Sequence, residues 1–147
     1  MQVAASLFDH RFQRAGIFDA VRDRRVACFV RSVYLQGLLL MPEADIPDEL
    51  RQVIPLRRQL HTLAQQAGLE VSALAIRYVL GLPSVTCAVI GAESVEQMRS
   101  NLALFSTLSV PIEMMHKIDE IVPSLPDKIL LPNHWSTRMP DAIPVGR

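Results

Sequence analysis

Three short stretches of this chain are almost continuously apolar, and helical patterns separate them. They fall at residues 2–6, 26–30 and 85–90. Strands covered on both faces read as unbroken apolar runs, and their alternation with helices is the mark of right-handed parallel β/α units. Between the first two strands, Ile17, Phe18 and Val21 share one helical face, while Asp19, Arg22, Asp23 and Arg24 take the other. A long helix is expected from about Pro55 to a stop at Gly68, with Leu56, Leu60, Leu63, Ala64 and Ala67 as its apolar stripe. Another spans roughly residues 71–80, closed by Gly81 and Pro83. After the third strand Ser94 can cap a helix, with Gln97 three residues on as in a capping box. Val95, Met98 and Leu102 are its expected inward residues. A last helix runs from Pro111 to about Val122. Pro123, Pro126, Pro132, Pro140 and Pro144 then exclude long regular elements, so residues 123–147 read as an extended or loose Pro-rich tail on a domain of residues 1–122.

Closing a β/α barrel takes about eight strands. Three parallel strands leave two unpaired sheet edges and an uncovered face. Hydrophobic residues make up 50% of the chain. The mean hydropathy of +0.22 fits a chain with more apolar surface than it buries alone. Net charge is zero and the pI near 6.9, with no basic run, which argues against nucleic acid or an anionic membrane as partner. The longest apolar stretches are broken by Arg31, Gln36 or Pro83, too early for a membrane span, and no secretion signal opens the chain. Cys28 and Cys87 sit in strand-like segments and read as buried thiols of a reducing compartment rather than as a disulfide. The expectation is a soluble, cytoplasmic α/β domain. His10, His61, His116 and His134 are scattered, with no metal-ligand spacing among them, and no nucleophile elbow, phosphate-binding loop or paired-cysteine motif is present.

Three segments carry a more specific signal. Gln2-Val3-Ala4-Ala5-Ser6-Leu7-Phe8-Asp9-His10-Arg11 comes first, followed by Arg31-Ser32-Val33-Tyr34-Leu35-Gln36-Gly37-Leu38-Leu39. The third begins at Ala73-Leu74-Ala75-Ile76-Arg77-Tyr78-Val79-Leu80 and runs to Asn101. In this order they resemble the last three β/α units of aldo-keto reductases. The second is similar to the family's Tyr-Ser-Pro-Leu-Ala-x-Gly-Leu-Leu. The third is similar to its Ala-Leu-Arg-Trp helix, eighth strand and Gly-Ala-x-Ser-x-Glu-Gln-x-x-x-Asn run. The resemblance covers residues 2–122 and implies a partial (half) TIM-type β/α barrel, with about three parallel strands and flanking helices.

It also implies a cradle for NAD(P)(H). Gln2 matches the family glutamine that hydrogen-bonds the nicotinamide carboxamide, although it reads equally well as a polar residue at a frayed terminus. Arg31 stands where many members place an aromatic residue against the nicotinamide ring, on which a guanidinium can stack. Ser32, Leu35, Gln36 and Gly37 match the loop along the pyrophosphate. Gly91, Ala92, Glu93, Ser94, Gln97 and Asn101 match the adenosine end. Glu93 replaces the lysine or arginine that many members direct at the 2′-phosphate of NADP, which points toward NAD(H). The family's catalytic tyrosine, lysine, aspartate and histidine all lie in the first half of the barrel, and no residue here is assigned to them. Alone, the chain is expected to be inactive in carbonyl reduction. Three readings follow: a half-barrel working with an N-terminal half, a self-associating non-catalytic module, or a truncated product that preserves only ancestry.

Overall fold

A computed structural model of the chain describes residues 1–92, 94–105 and 110–136. Its elements run β1 (Gln2–Ala4), α1 (Arg11–Arg14), α2 (Ile17–Asp23), β2 (Cys28–Arg31), α3 (Ile54–Gln66), α4 (Val71–Gly81), β3 (Val85–Ala88), α5 (Val95–Phe105), α6 (Ile112–Ile121) and α7 (Asp127–Leu130). The three strands form one parallel sheet in the order β1-β2-β3, the parallel pairing expected from the alternation and the half-barrel arrangement implied by the resemblance. Each strand is shorter than its apolar run, as befits a sheet whose two outer strands are paired on one side only.

The sheet has one covered and one open face. Val3, Cys28 and Val30 join a single core with Phe18 and Val21 of α2, Leu60 and Leu63 of α3, Leu74, Tyr78 and Val79 of α4, and Met115 and Ile118 of α6. On the opposite face Gln2, Phe29 and Cys87 align in one row across the three strands. Ala4 and Arg31 pair in the next, where the Val89 amide donates to the Val30 carbonyl at 2.7 Å. Phe29 and Val89 remain 42% and 46% exposed. In a closed barrel this face is the filled interior. Cys28 is the buried thiol expected, whereas Cys87 lies on the open face and is exposed.

Two helices depart from the sequence expectation. In α3, Leu60, Leu63 and Ala64 are buried, but Ala67 is exposed and Leu56 only half-buried. Arg57 is buried in their company, its Nη2 donating to the Met41 carbonyl at 2.6 Å. In α5 the expected orientation is overturned: Val95, Met98 and Leu102 are 62%, 51% and 61% exposed, and Asn101 is the buried residue. Among the described residues no strand pairs with the outer edge of β3, and the apolar stripe stays exposed.

The start of the tail is docked rather than loose. Helix α7 buries Ile129 and Leu130, and the Trp135 indole donates to the Ile129 carbonyl at 3.1 Å. Arg11 pairs with Asp127 at 3.0 Å, Arg14 donates to the Val122 carbonyl at 2.8 Å, and Ser136 bonds Glu49 through its amide and hydroxyl. Residues 137–147 lie outside the described residues.

A buried polar cluster fastens the loop after β1 to α4 and α6. The His10 ring stacks on Tyr78 with centroids 5.4 Å apart, and its Nε2 lies 3.1 Å from the Leu7 carbonyl. Its Nδ1 is 3.3 Å from Asp119, a close approach that makes no hydrogen bond. Burial pushes the His10 pKa down against the opposing pull of Asp119, with Arg14 lowering it further and Asp9 raising it. His61 is likewise lowered, by burial first and then by Arg57. A histidine lowered in the folded state takes up its proton more readily when unfolded. Stability is therefore expected to fall as pH drops below about 6.5, the ordinary histidine value. Urea titrations at pH 7.5, 6.5 and 5.5 should show this slope, and His10→Gln should flatten it. An unchanged slope in that variant would assign it to other groups.

Candidate functional site

The described positions expected to carry a ligand fall in three places: the open face of the sheet (Gln2 and Arg31), the loop after β2 (Ser32, Leu35, Gln36 and Gly37) and the junction of β3 with α5 (Gly91, Ala92, Ser94, Gln97 and Asn101). Gln2 opens β1 instead of ending it, so it stands one row deeper than Arg31, exposed beside Phe29. Arg31 closes β2 on the same face, and its Nη1 donates to the Ser32 hydroxyl at 3.2 Å.

The backbone then does something unusual. Ser32, Leu35, Gln36 and Gly37 all take positive φ, at 64°, 47°, 51° and 81°. These are the four residues matched to the pyrophosphate loop, and 35–37 are consecutive. Each non-glycine residue held left-handed costs roughly 1–2 kcal/mol, so the turn must be imposed by its surroundings. Its closing bonds run from the Leu35 amide to the Ser32 carbonyl at 2.8 Å and from the Leu38 amide to the Leu35 carbonyl at 3.0 Å. Leu35 is buried and anchors the turn, whereas Gln36 is exposed. The amides of Gln36 and Gly37 donate to no protein acceptor among the described residues. Successive amides in such a turn form a concavity that accepts anions, and strain of this kind concentrates at functional sites.

Helix α3 holds the descending arm of the loop. Besides the bond from Arg57 to Met41, Arg58 forms a two-pronged pair with Glu43 at 3.0 and 2.7 Å, which holds that carboxyl below the usual carboxylate range. Reading α3 as an apolar stripe overlooked this clamp. Its signal was an arginine three and seven residues before Leu60 and Ala64, on their own side of the helix.

At the third strand end, Gly91 is exposed and Ala92 half-buried; Glu93 lies outside the described residues. Ser94 caps α5 as expected, its hydroxyl accepting from the Gln97 amide at 3.1 Å. Asn101 lies four residues after Gln97 on the same side of the helix. Its Nδ2 donates to the Gly91 carbonyl at 3.4 Å, while its buried Oδ1 has no partner. The asparagine thus ties the loop to the helix and keeps one acceptor in reserve. The structure brings Ser32, Leu35, Gln36 and Gly37 into one turn, and Gly91, Ser94, Gln97 and Asn101 into one loop–helix junction.

Neither tyrosine offers an easily ionised hydroxyl. Burial pushes both pKa values above the ordinary value, at Tyr34, whose hydroxyl has no partner, and at Tyr78, where the nearby Asp119 carboxylate adds to it. Among the described residues, no three His, Cys, Asp or Glu side chains are placed to share a metal ion, and no helix is long and apolar enough to cross a membrane.

Three parallel strands in an open sheet, with helices between them and covering one face, define part of a β/α-barrel protein. The chain belongs to the Aldo/keto reductase family, whose model matches residues 1–123. It is 24% identical over 138 residues to the L-glyceraldehyde 3-phosphate reductases of Escherichia coli O157:H7 and of strain K12, in each case across 81% of this chain and 40% of the relative. The chain thus spans about two fifths of the length of these curated relatives. Among solved structures it is similar to an aldo-keto reductase from Bacillus halodurans, with a TM-score of 0.71 and 21% identity over 84% of this chain and 42% of that one. It is also similar to a glycerol dehydrogenase from Gluconobacter oxydans, with a TM-score of 0.66 and 19% identity over 98% of this chain and 45% of the other.

Proposed function

We propose that this chain is the dinucleotide-binding half of an NAD(P)(H)-dependent carbonyl oxidoreductase, and that it turns over only when β/α units bearing the family's aspartate, tyrosine, lysine and histidine complete the barrel. One observation carries the reading. The left-handed run through Leu35, Gln36 and Gly37 presents the unpaired amides of Gln36 and Gly37 in the loop after β2, where a pyrophosphate would lie. The unpartnered Asn101 Oδ1 beside the capped start of α5 fits the adenosine end. In this arrangement Gln2 and Arg31 take the nicotinamide, Ser32 and the 35–37 turn the phosphates, and Gly91, Ala92, Glu93, Ser94, Gln97 and Asn101 the adenosine. The bound dinucleotide supplies the hydride, and these residues orient it. Glu93 disfavours a 2′-phosphate, so NAD(H) is the better ligand. The raised pKa values of Tyr34 and Tyr78 run opposite to what a catalytic acid near neutrality needs, which fits a chain inactive by itself.

The test is a fluorescence titration of the chain with NADH and NADPH, with its size followed by light scattering. Saturable binding of NADH, tighter than NADPH, is expected. A stable dimer without dinucleotide affinity would instead favour the second reading, a non-catalytic half-barrel that covers the exposed Phe29 and Val89 with a second copy of itself.

A further inference from the structure

Arg57 is a charged residue on the apolar face of its helix. It stands three residues before Leu60 and seven before Ala64, on the side that α3 buries, and it is only 5% exposed. Its Nη2 donates to the Met41 carbonyl at 2.6 Å, while its buried Nε and Nη1 have no partner among the described residues. Glu43, whose charge reaches it, is already held two-pronged by the neighbouring Arg58. Arginine keeps its charge at any ordinary pH, and burying a charge without full compensation is destabilising. A leucine or methionine here would extend the apolar stripe at no such cost. Breaches of the local pattern gather at functional sites.

The carbonyl that Arg57 grips leads straight to the candidate phosphate turn. The Met41 amide donates to the Gly37 carbonyl at 3.0 Å, and the Leu40 amide joins it there at 2.8 Å. Gly37 ends the left-handed run, and its own amide is one of the two left unpaired. The gripped carbonyl belongs to the bond between Met41 and Pro42. Proline fixes its own φ, here −55°, and restricts the residue before it, so this arm of the loop has little slack. Two hydrogen bonds separate the guanidinium from the turn.

We propose, on the dinucleotide reading above, that Arg57 is a positioning residue of the phosphate subsite: through the Met41 carbonyl it holds the turn at residues 35–37 in place for a pyrophosphate, and stability is given up for that hold. It acts on where the Gln36 and Gly37 amides point, not on the phosphates themselves.

The test sets Arg57→Met, which keeps a long stem in the core and drops the donor, against the parent chain. Its urea midpoint should equal or exceed the parent's, because an undercompensated buried charge is gone. NADH and ADP should both bind at least about tenfold more weakly, since small displacements of a preorganised site are costly. The Leu40 and Met41 amides should exchange faster with solvent deuterium, with those of α4 unchanged. Arg57→Lys restores a donor and should recover most of the lost affinity; a lysine no better than methionine would deny the Met41 bond its part. Arg22→Met, which takes the same charge from the surface of α2, should leave NADH affinity within about twofold. If Arg57→Met fails to fold, or loses stability and affinity in step, the residue is a structural anchor and the proposal is overturned. Unchanged ADP affinity overturns it too. A parent chain that binds neither NADH nor ADP, with the faster exchange still present in the variant, overturns the dinucleotide reading and with it the phosphate role of Arg57.

Discussion

Replacing Asp119 with alanine should lower the stability of the fold by about 2–4 kcal/mol, because it strips an acceptor from the buried Tyr78 hydroxyl and the half-buried Gln13 amide and a neighbouring charge from His10. Its carboxylate accepts from the Tyr78 hydroxyl at 2.9 Å and from the Gln13 amide at 3.0 Å, and it lies 3.3 Å from His10. The Tyr78 hydroxyl has one proton for two acceptors, since Gln13 Oε1 is also within 2.8 Å. Tyr78→Phe therefore keeps the ring stack on His10 and loses one hydroxyl, at a cost of about 1 kcal/mol. Asp119 is one-third exposed, so its charge contributes little by itself, and the loss comes from the groups stranded behind it. Chemical denaturation of the two variants should rank them in this order, with a fall in Tm of about 5–15 °C for Asp119→Ala. A loss no larger than that of Tyr78→Phe would show that the cluster holds without its carboxylate. Removing Asp119 also removes the main influence that raises His10, so the proton uptake on unfolding that destabilises the fold in acid should grow.

The parts of this architecture that periodicity fixes were legible in the residues. The helices α3, α4 and α6 fall within a few residues of their expected limits, since proline and glycine mark their ends. Strand existence was legible and strand length was not, because pairing depends on a neighbour that no apolar run reveals. The same holds for α5. Its apolar stripe reads as inward in any helical projection, yet which side a helix buries is decided by what stands beside it, and among the described residues no strand pairs with the outer edge of β3. The docked segment around Ile129 and Trp135 escaped a reading based on proline, which forbids long elements but permits one helical turn with two anchors. At the candidate site the resemblance placed the residues, but no residue type announced the geometry. Serine, leucine and glutamine are ordinary in sequence, and their left-handed conformation is imposed by the closed turn and by the buried Leu35.

That turn supports a pair of substitutions of opposite sign. Gly37 has a φ of 81° and is buried, so a β-branched side chain there must distort the turn or refuse it. Gly37→Val should cost about 2–3 kcal/mol. It should also weaken dinucleotide binding by at least about tenfold, because a moved turn no longer aims its amides at one point. Gln36 is exposed with a φ of 51°, so its side chain contributes strain without burial. Gln36→Gly relieves roughly 1–2 kcal/mol of left-handed strain and returns about half of that through greater freedom of the unfolded chain, for a net gain near 0.5–1 kcal/mol. Binding should hold, since glycine keeps the amide and the conformation. Urea unfolding and NADH titration of the two variants separate the roles of the turn. If Gly37→Val binds NADH as well as the parent while losing stability, the turn is a structural corner and the phosphates lie elsewhere. If both properties fall together in Gly37→Val and neither falls in Gln36→Gly, the strain at 35–37 is held for a ligand.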